Sequence, residues 1–243
     1  MVVYSKMEGR MTDKDISQDI LNRYKKVGSA TVWTAVYTLR GIKCHMETVK
    51  PLTRGMKIAS RARTLRSLPI RPDLREEVIT GENAPEYIAM GSCGPGDVLV
   101  IDAMNIPFAT HLGDVKLLHL LMQKADGVVT DGAIRDLEVV RTYGFAVFGQ
   151  NQTPTATDCL SVQANVDIQC SGVLVRPGDI IVGDDEGVVV VPKHLALEVL
   201  EWVEEHEEAE EYVKKKILAE NCPPGKYYPP TDETIKEMRQ SQN

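Results

Sequence analysis

The fold is decided by residues 96–150, GDVLVIDAMNIPFATHLGDVKLLHLLMQKADGVVTDGAIRDLEVVRTYGFAVFGQ. Short runs rich in β-branched residues alternate there with runs whose apolar residues recur at helical spacing. The first kind occupies residues 98–103, 127–133 and 145–150, and the second kind occupies residues 115–125 and 134–144. This alternation is typical of βαβ units, so it predicts an α/β fold with a largely parallel sheet.

The flanking segments extend this pattern in both directions. Residues 12–40 predict two helices with a break near Gly28, and residues 55–67 alternate well enough for a strand. Residues 68–87 are polar and interrupted by proline, which predicts a loop leading into a short helix. After a loop rich in Thr, Pro and Asn, residues 172–191 predict strands around the turn GDDEG.

The C-terminal part predicts one long helix followed by a tail. Residues 194–220 are highly charged, and their apolar residues recur at steps of three and four, although Leu197 and Leu200 fall off this stripe. The tail begins CPPGKYYPP and cannot start as a helix. We therefore expect a single domain over residues 1–220 and a strap over residues 221–243 that lies on the surface or on a neighbouring subunit.

Composition narrows the classes of function. No stretch of the 243 residues approaches the roughly 20 apolar residues of a membrane span, and the N-terminus MVVYSKMEGRMTDKD is charged where a signal peptide is apolar. We therefore expect a soluble, cytoplasmic protein without a membrane partner. The formal net charge of −7 disfavours nucleic acid as a partner. Five cysteines without a CxxC pair argue against a disulfide framework and a zinc site.

Two segments place polar side chains where a predicted strand ends and a helix begins, the position at which open α/β sheets bind ligands. The first is HLGDVKLL, residues 111–118. If its helix starts near Val115, the amides of Val115 and Lys116 are free to bind a carboxylate, with Gly113 beside them. Asp114 is either the N-cap of that helix, which residue preference slightly favours, or a residue of the cavity that holds a metal-bound water or moves a proton.

The second segment is TDGAIRD, residues 130–136. Gly132 permits a tight turn, after which Arg135 and Asp136 bring one cation and one carboxylate to the mouth of the sheet. Alone, the pair would be interpreted as a helix cap and a surface residue, and the neighbouring HLGDVKLL segment is what favours a site. His111 could line the same pocket, although a polar loop histidine is more often solvated.

These residues also carry a family resemblance. GDVLVIDA, then GD before an apolar helix, then GVVTDGAIRD, then SGVLVRPGDIIVGDDEGVVVVP resemble the 4-hydroxy-4-methyl-2-oxoglutarate aldolase and RraA-like family over roughly residues 29–220. Its longer relatives, often labelled ribonuclease activity regulators, are also similar around TLRSLPIRPDL and YYPPTDET. The resemblance implies a swivelling β/β/α type of α/β fold with N-terminal helices, a long C-terminal helix and assembly as trimers or hexamers with active sites at subunit clefts.

The resemblance further implies roles for individual residues. Arg135 would bind substrate and act in catalysis, Asp136 would hold Mg²⁺ or Mn²⁺, and Asp114 would touch a metal-bound water. The amides of Val115 and Lys116 would receive the substrate carboxylate, and Glu210 of a neighbouring subunit is the best candidate to complete the site.

The reaction implied by the resemblance is cleavage of a small 2-oxo acid. The ion and the arginine would stabilise the enolate that forms when the C3–C4 bond breaks, which suits retro-aldol release of pyruvate and oxaloacetate decarboxylation. Two alternatives are a dehydratase or lyase of a sugar-derived 2-oxo acid and a non-catalytic regulator that binds a ribonuclease.

Two residues bear on that choice, and two others depart from the family pattern. The resemblance implies that the non-catalytic regulators in the family keep the arginine but lose the aspartate that follows it. This chain has both Arg135 and Asp136, which favours an enzyme. Thr34 stands where many relatives carry an aspartate, and Lys116 replaces a usually apolar residue. A cation at position 116 could favour a more acidic or longer substrate.

Overall fold

The computed structural model describes residues 16–156 and 159–241. The strands are β1 (Lys50–Pro51), β2 (Ile58–Pro69), β3 (Asp97–Asp102), β4 (Thr110–Leu112), β5 (Gly127–Thr130), β6 (Ala133–Ile134), β7 (Ala146–Gly149), β8 (Asn151–Gln152), β9 (Cys159–Ala164), β10 (Ile168–Cys170), β11 (Val173–Val175), β12 (Ile180–Asp184) and β13 (Gly187–Val191). The α-helices are α1 (Gln18–Tyr24), α2 (Ser29–Arg40), α3 (Pro72–Glu77), α4 (Pro85–Gly91), α5 (Asp114–Met122), α6 (Leu137–Val140), α7 (Ala196–Glu220) and α8 (Asp232–Ser241).

The main sheet has a parallel centre and antiparallel flanks. Its strand order is β1-β7-β5-β3-β2-β12-β13, and β9 also pairs with β2. Strands β2, β3, β5 and β7 are parallel neighbours, with Val98 of β3 opposite Gly127 of β5. Strands β1, β9, β12 and β13 pair antiparallel. The α/β class is confirmed, and the parallel pairing predicted from residues 96–150 is found in the centre of the sheet.

A second, smaller sheet follows the carboxyl ends of the parallel strands. Strands β4, β6 and β8 come directly after β3, β5 and β7 along the chain, and they pair with each other in parallel. Thr110 of β4 lies opposite Ala133 of β6. This pairing brings the loop after β4 beside the loop after β6, and the two segments singled out from the sequence become neighbours in space.

Helices cover one face of the main sheet, and the hairpin β10-β11 lies against the other. Helices α1, α2 and α7 enclose one apolar core with β12 and β13, and α4, α5 and α6 enclose another with β3, β5 and β7. A third core lies between the sheet and the hairpin β10-β11. The fully buried Tyr24 donates its hydroxyl to the Ala196 carbonyl at 2.6 Å, which satisfies its only polar group and ties α1 to the start of α7.

The two copies of the PGD motif are tight turns that begin strands. Gly96 and Gly178 have φ of 78° and 86°, which suits the third position of a type II turn after proline. In each turn the aspartate side chain accepts the amide three residues earlier, Asp97 from Gly94 at 3.1 Å and Asp179 from Arg176 at 2.8 Å. These buried aspartates are therefore explained by chain reversal before β3 and β12.

Two predictions about loops were incomplete. The Thr-, Pro- and Asn-rich segment after residue 150 contains β8, β9 and β10, and the polar segment 68–87 contains α3 before α4. Strand β9 exists because it pairs with the far end of β2, where Leu68 lies opposite Leu160. Pairing between distant segments overrides weak local preference.

The long C-terminal helix was predicted within two residues of its start, since α7 begins at Ala196. Leu197 is 44% exposed as expected, but the expectation that Leu200 lies off the buried stripe was wrong, because Leu200 is fully buried. Helix α7 contacts both α1 and α2, and two contact lines bury a wider stripe than one.

The tail is partly helical. Residues after Asn221 begin without regular α-helix, as the prolines required, but α8 then packs on α7 and buries Met238 to 3% exposure. The division of the chain at residue 220 stays a prediction.

The N-terminal segment without a signal pattern, residues 1–15, lies outside the described residues. Within the described ranges, no helix is both long and apolar enough to cross a membrane.

Candidate active site

The two strand-end loops line one cleft of about 350 Å³. Its walls are Thr110, His111, Leu112, Gly113, Asp114, Val115, Lys116, Arg135, Asp136 and Ala156. Every predicted site residue other than Glu210 is in this set. A larger groove of about 750 Å³ between α7 and α8 is lined by residues of the C-terminal helices and includes neither loop. The chemistry suggested by the sequence is therefore concentrated in the smaller cleft.

Close contact between the loops depends on Gly113. Its φ is −127°, which any residue adopts, so backbone freedom is not what it supplies. A Cβ atom at this position would lie 2.9 Å from the Cγ of Arg135 and nearer still to a carboxylate oxygen of Asp136. The absence of a side chain is what lets the Arg135-Asp136 segment lie directly against the loop after β4.

Asp136 is held in an unusual backbone conformation. It has φ 56° and ψ 31°, the left-handed region, and it precedes α6 as the N-cap residue. Its carboxylate caps none of the first amides of α6, a helix that lies wholly in the described part of the chain. Instead Asp136 Oδ2 accepts from Arg135 Nε at 3.1 Å. The interpretation of Asp136 as an ordinary side-chain cap therefore fails, and its carboxylate faces the cleft.

Helix α5 begins one residue earlier than expected. Gly113 is the N-cap and Asp114 is the first helical residue, so Asp114 is not the cap that residue preference favoured. Asp114 Oδ1 accepts the Val115 amide at 2.8 Å, so that amide is occupied rather than free. The first amides of an α-helix have no partner inside the helix, and this applies to the amides of Asp114 and Lys116, two residues that line the cleft.

His111 lines the cleft, as one of its two interpretations held, and the alternative of a solvated loop histidine was wrong, because its side chain is buried at 6% exposure. Its Nε2 lies 2.7 Å from Ser67 Oγ and 3.1 Å from Cys159 Sγ. The register of β4 against β6 shifts between Thr110 and Leu112, so His111 is the extra residue of a bulge. Burial lowers the pKa of His111 to about 4, and the imidazole is neutral at pH 7.

Ser67 and Cys159 could not be found from the sequence. They lie 44 and 48 residues from His111 along the chain and meet it only because β9 pairs with β2 beside β4. No motif of fixed spacing connects the three positions.

Asp131, inside the TDGAIRD segment, has a structural role. It is fully buried, and its carboxylate accepts the amides of Ala103, Asn105 and Ser171 at 2.6, 2.9 and 3.0 Å. These bonds fix the connection between β3 and β4. Gly132 is required beside it, because a Cβ there would lie 2.7 Å from the Cβ of Ala103.

Lys116 is neutralised by a neighbour. Its Nζ lies 2.6 Å from Glu86 Oε1 on α4, and both side chains are partly buried. The sequence showed the cation but not its partner, which is 30 residues earlier. Glu210 lies on α7 with an oxygen 3.3 Å from His206 Nε2 and is not among the described residues that line the cleft. Its contribution to a neighbouring subunit's site stays a prediction.

The side chains of the cleft fit a metal site in which one protein carboxylate holds a largely hydrated ion. Among residues 16–156 and 159–241, no three His, Cys, Asp or Glu side chains are grouped closely enough to hold an ion. An ion in this cleft would rest on the Asp136 carboxylate, with water and substrate oxygens as its other ligands. Mg²⁺ commonly binds in this way, with few protein carboxylates and several waters.

Comparison with known proteins decides the family. The profile of the RraA-like family, described as Aldolase/RraA, matches residues 29–190. The chain belongs to this family. It is 30% identical over 204 residues to a protein of Halalkalibacterium halodurans named "Putative 4-hydroxy-4-methyl-2-oxoglutarate aldolase", covering 84% of this chain and 90% of that protein. The family resemblance stated for roughly residues 29–220 is thereby confirmed.

Two further proteins are similar to most of this chain. Protein DlpA of Legionella pneumophila is 31% identical over 218 residues, which is 86% of this chain but only 33% of that longer protein. The crystal structure of Streptomyces coelicolor RraAS2, described as an unusual member of the RNase ES inhibitor RraA protein family, is 30% identical. It matches with a TM-score of 0.74 and covers 82% of this chain and 96% of that one.

Proposed function

We propose that this RraA-like protein is a lyase that depends on a divalent metal and cleaves small 2-oxo acids. The reaction would be retro-aldol release of pyruvate from 4-hydroxy-4-methyl-2-oxoglutarate-like substrates, with oxaloacetate decarboxylation as a related activity. The observation that supports this most is the meeting of Arg135, Asp136 and the start of α5 in one cleft, with Gly113 allowing their contact. The name of the Halalkalibacterium halodurans relative supports the same class of reaction.

The metal in this proposal is Mg²⁺ or Mn²⁺ held by Asp136. When bound, it would supply positive charge that polarises the 2-oxo group and favours the electron distribution of the cleavage. Asp136 suits this role because its carboxylate is not used to cap α6 and faces the cleft. The Arg135 guanidinium beside it keeps the carboxylate oriented.

The remaining steps use the chain's own groups. The unpaired amides at the start of α5 would bind the substrate carboxylate, and Arg135 would bind the oxygen on which negative charge develops. Asp114 would accept, directly or through water, the proton of the C4 hydroxyl as the C3–C4 bond breaks. The bonding electrons move to the enolate of pyruvate, which then takes a proton at C3. Asp114 is partly exposed and can exchange its proton with solvent.

The test is an assay of pyruvate release across a panel of 2-oxo acids, with Mg²⁺, with Mn²⁺ and with a chelator. We expect release from 4-hydroxy-2-oxo acids that requires the metal, and metal-dependent decarboxylation of oxaloacetate. A protein that binds Mg²⁺ yet releases no pyruvate from any member of the panel would reject the lyase. Turnover of a sugar-derived 2-oxo acid by loss of water would instead support the dehydratase alternative.

A second candidate function is regulation of a ribonuclease by direct binding. The RraAS2 match favours it, because that protein is described within a family of RNase inhibitors and shares 30% identity. The two functions differ in their need for the cleft. A chain that binds no divalent ion, turns over no 2-oxo acid and still holds a ribonuclease would support the regulator.

The proposal includes assembly as homotrimers or homohexamers. Its support is an apolar stripe on the outer face of α5, where Val115, Leu118 and Met122 are 76%, 43% and 70% exposed. Exposed apolar rows of this kind mark interfaces, and this one begins at the cleft. We expect light scattering to give three or six times the 26.9 kDa chain mass, and Met122→Glu to reduce it. A wild-type mass of one chain would contradict the assembly.

A further inference from the structure

One wall of the cleft carries hydrogen-bond donors that the proposed reaction does not use. Lys116 lines the cleft, and its ammonium is bonded to Glu86 Oε1 at 2.6 Å. A lysine ammonium has three N–H donors, and no second acceptor is bonded to this one within residues 16–156 and 159–241. Glu86 therefore offsets the charge of Lys116 but leaves two of its donors to a ligand.

Glu86 also holds the ammonium at this wall. The Lys116 and Glu86 side chains are only 32% and 21% exposed, so water and salt screen the pair less than a surface pair. Helices α4 and α5 pack against each other, which fixes the distance between the elements that carry the two charges. Burial lowers the pKa of His111 most, and the charges of Glu86 and Lys116 act on it next, in opposite directions. The ion pair therefore lies close to His111, which is itself part of the cleft lining.

Thr110 adds an uncharged donor to the same wall. It precedes His111 in β4, lines the cleft and is only 4% exposed. Its hydroxyl is buried and has no hydrogen-bond partner among the described residues. Buried hydroxyls are nearly always paired in folded proteins, because an unpaired one has lost its water without compensation. The unpaired hydroxyl therefore points to a ligand oxygen at this wall.

The charges of the cleft show what a second carboxylate needs. Three carboxylates, Asp114, Asp136 and Glu86, face two cations, Lys116 and Arg135. A divalent ion on Asp136 would turn this excess of one negative charge into an excess of one positive charge, which the first carboxylate of a 2-oxo acid balances. A second carboxylate then loses water without gain unless it meets a cation of its own. Arg135 is already paired with Asp136, so among the described lining residues that cation is Lys116.

We propose that Lys116 and Thr110 bind the distal carboxylate of the substrate, so that the cleft prefers 2-oxo acids with two carboxylates. The first carboxylate would bind the start of α5, where the amide of Lys116 itself lies, and the distal one would bind the ammonium at the end of its four-carbon stem. That stem and the carbon chain of 2-oxoglutarate have similar lengths. This inference rests on the proposed function, because it names the residues that recognise one end of the proposed substrates. Lys116 is here a specificity-determining residue, and Glu86 is a positioning residue that acts through it.

The test compares two pairs of 2-oxo acids that differ in the distal carboxylate. For equilibrium binding the pair is 2-oxoglutarate and 2-oxobutanoate, measured by calorimetry in the presence of Mg²⁺. For turnover it is 4-hydroxy-2-oxoglutarate and 4-hydroxy-2-oxopentanoate. We expect the wild type to favour the doubly charged member of each pair by about tenfold, through Kd and KM rather than kcat.

Two substitutions should move this preference in opposite directions. Lys116→Met keeps an unbranched stem and the backbone amide but removes the charge, so the preference should fall about tenfold, to nearly equal affinity. Glu86→Gln still accepts a hydrogen bond from the ammonium through its amide oxygen but no longer offsets its charge, so the preference should rise about threefold. Loss of folding cannot produce opposite shifts in a ratio of two ligands.

Thr110→Val tests the second donor, because it removes the hydroxyl and keeps the size of the side chain. We expect the preference to fall about threefold. Lys43→Met, in the exposed Lys43-Glu47 pair at 3.4 Å, is the matched control for loss of a lysine charge and should leave the ratio unchanged. A ratio that Thr110→Val leaves unmoved would overturn the part assigned to its hydroxyl.

The possible outcomes separate this inference from the function it rests on. A wild type that binds 2-oxobutanoate as tightly as 2-oxoglutarate, or a preference that survives Lys116→Met, overturns the role of Lys116 even if pyruvate is released. A protein that binds neither ligand also overturns it. A protein that shows the preference and its two opposite shifts, yet releases no pyruvate, supports the inference and rejects only the lyase.

Discussion

Replacing Asp136 by alanine is expected to abolish metal-dependent pyruvate release, with a loss of at least about a thousandfold in kcat. Asp136 is the one carboxylate in the described cleft that pairs with Arg135 and is not bonded to a helix amide. Its removal takes away the proposed metal ligand and leaves the Arg135 guanidinium without its orienting partner. The measurement is kcat for pyruvate release, together with Mn²⁺ affinity measured by electron paramagnetic resonance.

The fold should tolerate this change. Asp136 is exposed, and its side chain caps none of the described amides of α6, so the melting temperature is expected to stay within a few degrees. Release of the left-handed backbone strain by Asp136→Gly would also keep the fold while still removing the ligand. Glu138→Gln, on an exposed position of α6 two residues away, is the matched control and should keep full activity. Undiminished turnover or Mn²⁺ affinity in Asp136→Ala would reject the proposed site.

The parallel centre of the sheet could be predicted from the sequence because each of its strands and helices is specified by residues that are close together in the chain. Each βα unit between residues 96 and 150 carries its own strand run, helix run and turn residues, and the right-handed crossover leaves few ways to combine them. The loops containing Asp114 and Arg135 were identified for the same reason. Parallel strands end at a shared edge, so residues that follow neighbouring strands must lie close together.

The second sheet could not be predicted in this way. Strands β4, β6 and β8 have only two or three residues each, which is too short for any periodic pattern to appear. The His111 bulge depends on the pairing of β4 with β6 and leaves no trace in the local sequence. As a result the burial of His111 could not be predicted, and the loops that carry the site residues follow β4 and β6 rather than the strands of the main sheet.

Contacts between the site residues and residues from distant segments could not be predicted from the sequence either. Glu86 on α4 pairs with Lys116, whereas the sequence alone could only show a cation beside the amides that were predicted to bind a carboxylate. The hydrogen bond from the Val115 amide to the Asp114 carboxylate likewise forms only in the folded first turn of α5. Residue types were therefore predictable at the site, but their charge balance required the tertiary structure.

Gly113→Ala is expected to lower kcat for pyruvate release by about a hundredfold, although it adds a single methyl group outside the reacting atoms. The new Cβ would lie 2.9 Å from Arg135 Cγ and closer still to the Asp136 carboxylate, so the Arg135-Asp136 segment must move away from α5. In the proposed reaction, the amides of α5, Arg135 and Asp136 act together on one small substrate. A displacement of about 1 Å at one of them breaks that alignment.

The backbone supplies the control for this prediction. Gly113 has an ordinary negative φ, so alanine introduces no backbone strain, and any loss of activity must come from the crowded space beside it. Gly28, the N-cap of α2, also has a negative φ of −74°, but no described atom lies within 4 Å of its potential Cβ. Gly28→Ala should therefore keep full activity. Wild-type turnover in Gly113→Ala would mean that the two loops work without close contact, and the proposal that they form one reaction site would lose its geometric basis.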